Sequence, residues 1–239
     1  MILLLMMNIK SSTLCALIFS AATLFAGLLS YAGEISSTPP AVSGRAWVGD
    51  RLAVCVYCGA SDLPAPKYAE TARRLGEGLA ARQWTLVYGG SKTGLMGAVA
   101  RGAKESGGRV VGVLPEFIKA WEVAYEPADE LMTVTTMHER KMLLQSRSDA
   151  FVILPGGSGT LDELADTLEL RHLNLLKKPI IILNQDGYYD SLLAFYDRAV
   201  EEKFSRDDLR QKFRVARTLD EVFALLEQIK LPVRVTSTR

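Results

Sequence analysis

The chain is poor in the residues that build stapled or metal-held proteins: its 239 residues include three cysteines and two histidines. One cysteine, Cys15, lies in an apolar N-terminal stretch, so no disulfide framework is on offer. Cys55 and Cys58 form a C-x-x-C, but no second pair follows, and Leu52 to Cys58 reads as a strand. Residues three apart on a strand point to opposite faces, which makes these core thiols rather than a zinc or redox pair. Charge of one sign is also lacking, with 28 Lys+Arg against 27 Asp+Glu. Without a basic stripe or aromatic–basic interleaving, the electrostatic footprint of a nucleic-acid binder is missing. The glycine-rich turns have neither Walker A spacing nor G-x-G-x-x-G. No internal repeat or low-complexity tract interrupts the chain from Arg51 onward.

What remains is an apolar chain, 49% hydrophobic, long enough for one α/β domain with a full core. Residues 1–33 are set apart as an apolar N-terminal segment. Thr13 to Leu29 carries no charge, Lys10 is a thin basic flank, and Ser30-Tyr31-Ala32 resembles a signal-peptidase site. Residues 34–50, with Pro39-Pro40, read as a linker; residues 51–231 are expected to form the folded domain and 232–239 a tail. Two readings of the first segment stay open. It is an export signal or membrane anchor, the one route to membrane contact, or else an appendage or early start on a cytoplasmic protein.

From Arg51 on, short apolar strands alternate with amphipathic helices. Strands are expected at Leu52–Cys58, Thr85–Tyr88, Arg109–Leu114, Met132–Thr135, Asp149–Leu154, Pro179–Leu183 and Phe213–Ala216. Helices are expected near Pro66–Arg82, Gly94–Ser106, His138–Ser146, Leu161–Leu176, Tyr188–Glu202 and Leu219–Gln228. This alternation predicts an α/β fold with a mostly parallel sheet covered by helices on both faces. Ligands of such folds sit outside the carboxyl ends of the strands. The glycine-rich turns all fall there.

The most informative turn is Pro155-Gly156-Gly157-Ser158-Gly159-Thr160-Leu161-Asp162-Glu163. A strand, a glycine-rich turn and a helix start bring unpaired N–H groups and the helix dipole onto one point, which suits an anion such as a phosphate. Glu163 has two readings. Thr160-Leu161-Asp162-Glu163 fits a capping box, which would make the carboxylate structural. The glycine-lined approach instead favours a site, since a cap needs only one residue. Gly89-Gly90-Ser91-Lys92-Thr93-Gly94 is a second glycine turn, readable as ribose or phosphate contact through Gly90 and Gly94 or as tight packing. Met137-His138-Glu139-Arg140-Lys141 opens a helix, and Arg140 offers a rigid fork of donors for a carboxylate or phosphate. A bound phosphate beside one carboxylate suits cleavage of a sugar–base bond, in which positive charge builds on the sugar.

Residues 52 to about 228 resemble the LONELY GUY (LOG) family of cytokinin-activating phosphoribohydrolases, long labelled lysine decarboxylases. The resemblance rests on Leu86-Val-Tyr-Gly-Gly90, Gly94-Leu-Met-Gly97, Met137-His-Glu-Arg-Lys141, Pro155 to Glu163, and Asn184-Gln-Asp-Gly-Tyr-Tyr189. It implies a Rossmann-like three-layer domain, commonly a homodimer. It implies hydrolysis of N6-substituted adenosine 5′-monophosphates to free base and ribose 5-phosphate, without cofactor or metal. It further implies Arg140 and Glu163 as the catalytic pair. Contacts to the nucleotide fall to Glu122, Met137, Lys141, Gly156, Gly157, Ser158, Gly159 and Thr160. The chain departs from the family at Glu169-Leu170 (usually Thr-Trp), His172 (usually Gln), Tyr125, Ser91 and Ala60. These departures bear on the favoured base. A nucleosidase acting on plain AMP and a nucleotide sensor without turnover are the rival readings, and a lysine decarboxylase ranks last.

Overall fold

A computed structural model describes residues 51–120 and 123–230. The expected N-terminal segment, the linker, the tail and Glu122 lie outside the described residues. Seven strands and six α-helices alternate: β1 (Ala53–Tyr57), α1 (Pro66–Ala81), β2 (Thr85–Tyr88), α2 (Gly94–Glu105), β3 (Arg109–Pro115), β4 (Glu130–Val134), α3 (Met137–Ser146), β5 (Ala150–Ile153), α4 (Ser158–His172), β6 (Ile180–Leu183), α5 (Asp190–Glu201), β7 (Arg214–Ala216) and α6 (Leu219–Glu227).

The strands form one sheet in the order β4-β3-β2-β1-β5-β6-β7, and every pairing is parallel. Strand order reverses beside β1, which pairs with β2 on one side and β5 on the other. Loops leaving β1 and β5 therefore part to opposite faces and open a crevice between them.

Period-two alternation of apolar side chains explains the layering. Val54, Val56, Leu86 and Val152 face one side with Leu75 and Leu79 of α1, Val99 of α2 and Phe223 of α6. Ala53, Cys55, Val87, Phe151 and Ile153 face the other with Leu144 of α3, Leu164 and Leu168 of α4, and Leu193 of α5. Each fully buried Leu contributes about 1.5–3 kcal/mol of transfer free energy. Cys55 and Cys58 fall in opposite layers, both buried and unpaired, as the strand argument expected. No helix among the described residues is long and apolar enough to cross a membrane.

The largest departures from the expected helix bounds are both on α4, where each end moves by three or more residues. Leucines continue to Leu176, but the helix ends at His172 because Asn174 turns left-handed (φ 59°). The N–H groups of Leu175 and Leu176 then fold back onto the Leu170 carbonyl. At the other end the helix begins at Ser158 rather than Leu161, with Gly157 as its cap residue.

Candidate active site

That earlier start removes one of the two readings of Glu163. Gly157 has no side chain to cap with, and Thr160 already lies inside the first turn, so the capping-box reading of Thr160 and Glu163 does not hold. The first intrahelical bond runs from Leu161 N–H to Gly157 O at 3.1 Å. The N–H groups before it, from Ser158 to Thr160, have no partner within the helix by geometry. A capping box does occur at α3. There Glu139 accepts from Thr135 and Thr136, and the Thr136 hydroxyl accepts from Glu139 N–H. Within the Met137–Lys141 motif, Glu139 is thus a structural acid.

Glu163 instead meets Arg140. Nη1 of Arg140 lies 3.2 Å from Oε1 of Glu163, and both side chains are about 8% exposed. The guanidinium also donates from Nε to Val113 O and from Nη2 to Gly89 O, each at 3.2 Å. These carbonyls stand at the end of β3 and just past β2, so two strands hold the cation at the sheet's carboxyl edge. A Cβ on Gly89 would overlap Nη2 of Arg140 and come within 2.6 Å of the Met96 sulfur. Gly89 is therefore the aperture through which Arg140 reaches its seat. Removing one member of such a buried pair costs about 3–5 kcal/mol, because the survivor is left charged and unpaired.

The pair forms part of the wall of a cavity of about 350 Å³ that also takes in Gly59 after β1 and Gly156 to Thr160 after β5. Its glycines divide into two kinds. Gly156 is packed tight, since a Cβ there would overlap the Thr160 hydroxyl and lie 2.9 Å from Gly59 N. Gly157 and Gly159 are exposed, and a Cβ on either would meet no atom within 4 Å. A helix N-terminus thus presents bare backbone beside a buried carboxylate–guanidinium pair. Burial, reinforced by the Glu163 carboxylate, pushes the Cys58 thiol well up, so it stays protonated at the cavity floor. The Tyr57 phenol, hydrogen-bonded to Thr167 one turn beyond Glu163, is raised for the same first reason.

Among the expected contacts, Arg140, Glu163, Gly156, Gly157, Ser158, Gly159 and Thr160 come together in this cavity. Lys141, Met137, Gly90 and Gly94 are not among its lining residues. Lys141 pairs instead with Asp162 and Asp166 of α4, 3.2 Å from each, and fastens α3 to α4. The N–H of Gly94 is taken by Asp62 Oδ1 at 2.7 Å, and Gly90 is a left-handed turn (φ 84°) packed on Leu114. Met137 is half-buried in the first turn of α3. Sequence reasoning missed Tyr68, Tyr188, Leu95 and Met96 in the lining. Leu95, Met96 and Tyr188 stood inside quoted motifs; Tyr68 carried no signal.

A doubly wound parallel sheet with a bare helix N-terminus at its switch point, and a buried acid one turn away, defines a Rossmann-like α/β protein. The chain belongs to the LOG family, that of the cytokinin riboside 5′-monophosphate phosphoribohydrolases. The family described as "Possible lysine decarboxylase" matches residues 96–227. The probable cytokinin riboside 5′-monophosphate phosphoribohydrolase LOGL9 of Oryza sativa subsp. japonica is 46% identical over 160 residues, covering 67% of this chain and 70% of the relative. Its counterpart LOG4 of Arabidopsis thaliana is 42% identical over 175 residues, covering 73% and 81%. Among solved structures, the molybdenum cofactor carrier protein of Chlamydomonas reinhardtii superposes with a TM-score of 0.58 at 23% identity, covering 74% of this chain and 97% of that one. That likeness speaks to the fold.

Proposed function

We propose that the protein hydrolyses the N-glycosidic bond of N6-substituted adenosine 5′-monophosphates, releasing the free base and ribose 5-phosphate. The observation that carries this reading is the buried Arg140–Glu163 pair lining the same cavity as the bare N-terminus of α4. The names of the relatives supply the substrate class. The 5′-phosphate rests on the N–H groups of Ser158 to Thr160, favoured by the helix dipole. As the C1′–N9 bond breaks, its electron pair leaves with the base and positive charge grows at C1′. Glu163 stabilises that charge and orients the water whose oxygen adds to C1′. One proton of the water ends on the base, and the other stays on the new C1′ hydroxyl of ribose 5-phosphate. Arg140 keeps Glu163 ionised and fixed.

The alternative written into the family description does not fit. Lysine decarboxylation calls for pyridoxal phosphate on a lysine, and no lysine is among the described residues lining the cavity. We further read the protein as a homodimer acting in the cytoplasm. Exposed Leu173, Leu175 and Phe204 support the dimer as apolar surface for a second copy, and sedimentation of the purified chain tests it.

The test of the reaction is release of base from AMP and from N6-isopentenyl-AMP, followed by chromatography, for wild type and Glu163→Gln. The variant is expected to lose about 100- to 1,000-fold in kcat with little change in nucleotide affinity. Near-normal turnover would remove Glu163 from its role. No base release by the wild type would leave a sensor.

A further inference from the structure

The segment Asn184-Gln-Asp-Gly-Tyr-Tyr189 lies outside the chemistry so far, yet it is built with care. The Asn184 side chain accepts from Tyr189 N–H and donates to Asp190 Oδ1, both at 2.7 Å. Gly187 is left-handed (φ 74°), and a Cβ there would lie 2.5 Å from Asp190 Oδ2. Lys67 of α1 bonds Asp186 at 2.8 Å and ties the far side of the turn. The product of this bracing is a pair of adjacent tyrosines aimed at the segment that leads into the anion cradle.

Their hydroxyls take successive places along it. Tyr189 OH donates to Leu154 O at 2.7 Å, and Tyr188 OH donates to Gly156 O at 2.9 Å. Between them, Pro155 O accepts from Gly59 N–H at 3.2 Å. Three consecutive carbonyls are therefore held from two other loops. In a trans peptide the carbonyl and the following N–H point opposite ways. Holding Gly156 O therefore sets the direction of the Gly157 N–H, and holding Pro155 O sets that of Gly156. Tyr188 is itself held: its ring meets Tyr68 edge-on at 5.8 Å and Tyr189 at 5.0 Å.

We propose that Tyr188 is a positioning residue for phosphate binding, acting through the Gly156 carbonyl to fix the Gly156–Gly157 peptide that leads into the cradle's donors before the ligand arrives. Preorganised donors spend less of their binding energy on ordering themselves. This rests on the reading of the cradle as a phosphate site and names the residue that keeps it in shape.

Tyr188→Phe keeps the ring and removes the hydroxyl. Wild type and variant are compared by calorimetry with ribose 5-phosphate and with adenosine, by steady-state hydrolysis of AMP, and by thermal melting. Loss of one hydrogen bond of roughly 1 kcal/mol predicts about a fivefold weaker ribose 5-phosphate affinity and a matching rise in KM. Adenosine affinity and kcat should stay close to wild type, and the melting temperature should fall by no more than about 2–4 °C. Unchanged ribose 5-phosphate affinity, or an equal loss for adenosine, overturns the proposal. Should the wild type bind ribose 5-phosphate but release no base, the hydrolase reading fails, while a fivefold loss in the variant still upholds Tyr188. Hydrolysis with unchanged affinity in the variant spares the hydrolase and removes Tyr188 from its role.

Discussion

Gly159→Ala separates folding from function at a single methyl group. Gly159 is the second residue of α4, is exposed, and would place a Cβ where no protein atom lies within 4 Å. An alanine in a helix is favoured over glycine by up to about 1 kcal/mol. A domain of this size should therefore melt up to about 2–4 °C higher. The empty space beside Gly159 is where a phosphate on the cradle would sit. A methyl there lifts the anion off at least one N–H, and a hydrogen bond to a charged group is worth about 1.5–3 kcal/mol. The variant should bind AMP about 10- to 150-fold more weakly by calorimetry while melting at or above the wild-type temperature. Gly156→Ala is the contrasting case. Its Cβ overlaps the Thr160 hydroxyl and crowds Gly59, so about 1–3 kcal/mol of stability should go with the binding. If Gly159→Ala bound and cleaved AMP as well as wild type, the anion would not lie on this helix start, and the mechanism would fail with it.

Gly89→Ala should expel Arg140 from its seat on Gly89 O and Val113 O, lowering kcat at least tenfold in steady-state assays; an unaltered rate would mean that the seat is irrelevant to turnover. Alkaline pH should destabilise the fold. Burial raises the Cys55 and Cys58 thiols above their ordinary value of 9.0, so both stay protonated in the native state and lose protons only when unfolded. Their contribution is complete below about pH 8.5 and declines above it, by about 1.4 kcal/mol per pH unit per thiol, until the native thiols also ionise. Urea melts of wild type and Cys55→Ala between pH 7 and 10 check this, the variant showing the shallower decline.

Much of the fold could be read in advance because its cues are local. Thr85–Tyr88 lies between turn signals and is made of β-branched, aromatic and aliphatic residues, and Pro66 starts α1 where a missing N–H costs nothing. Strand order was not readable, since no local feature says that β5 rather than β3 lies beside β1. The site was half legible. The cradle announced itself through glycine at a strand–helix junction, and Glu163 through its place one turn on. Lys141 was expected at the ligand through the family resemblance; its place in the sequence could not show that Asp162 and Asp166 stand one helix away, 3.2 Å from its ammonium. Gly89 hid its purpose, because a glycine that makes room for a distant arginine looks the same in sequence as one that turns a chain.

Arg140 is anchored, apart from Glu163, to two peptide oxygens. Every amino acid carries such an oxygen, so substitutions at Val113 leave that anchor chemically intact as long as β3 keeps its course. Random mutagenesis around this arginine should therefore return a small set of intolerant positions, Arg140, Glu163 and Gly89, ringed by neighbours free to vary. An arrangement of this kind lets the walls of the cavity vary while the Arg140–Glu163 pair keeps its geometry.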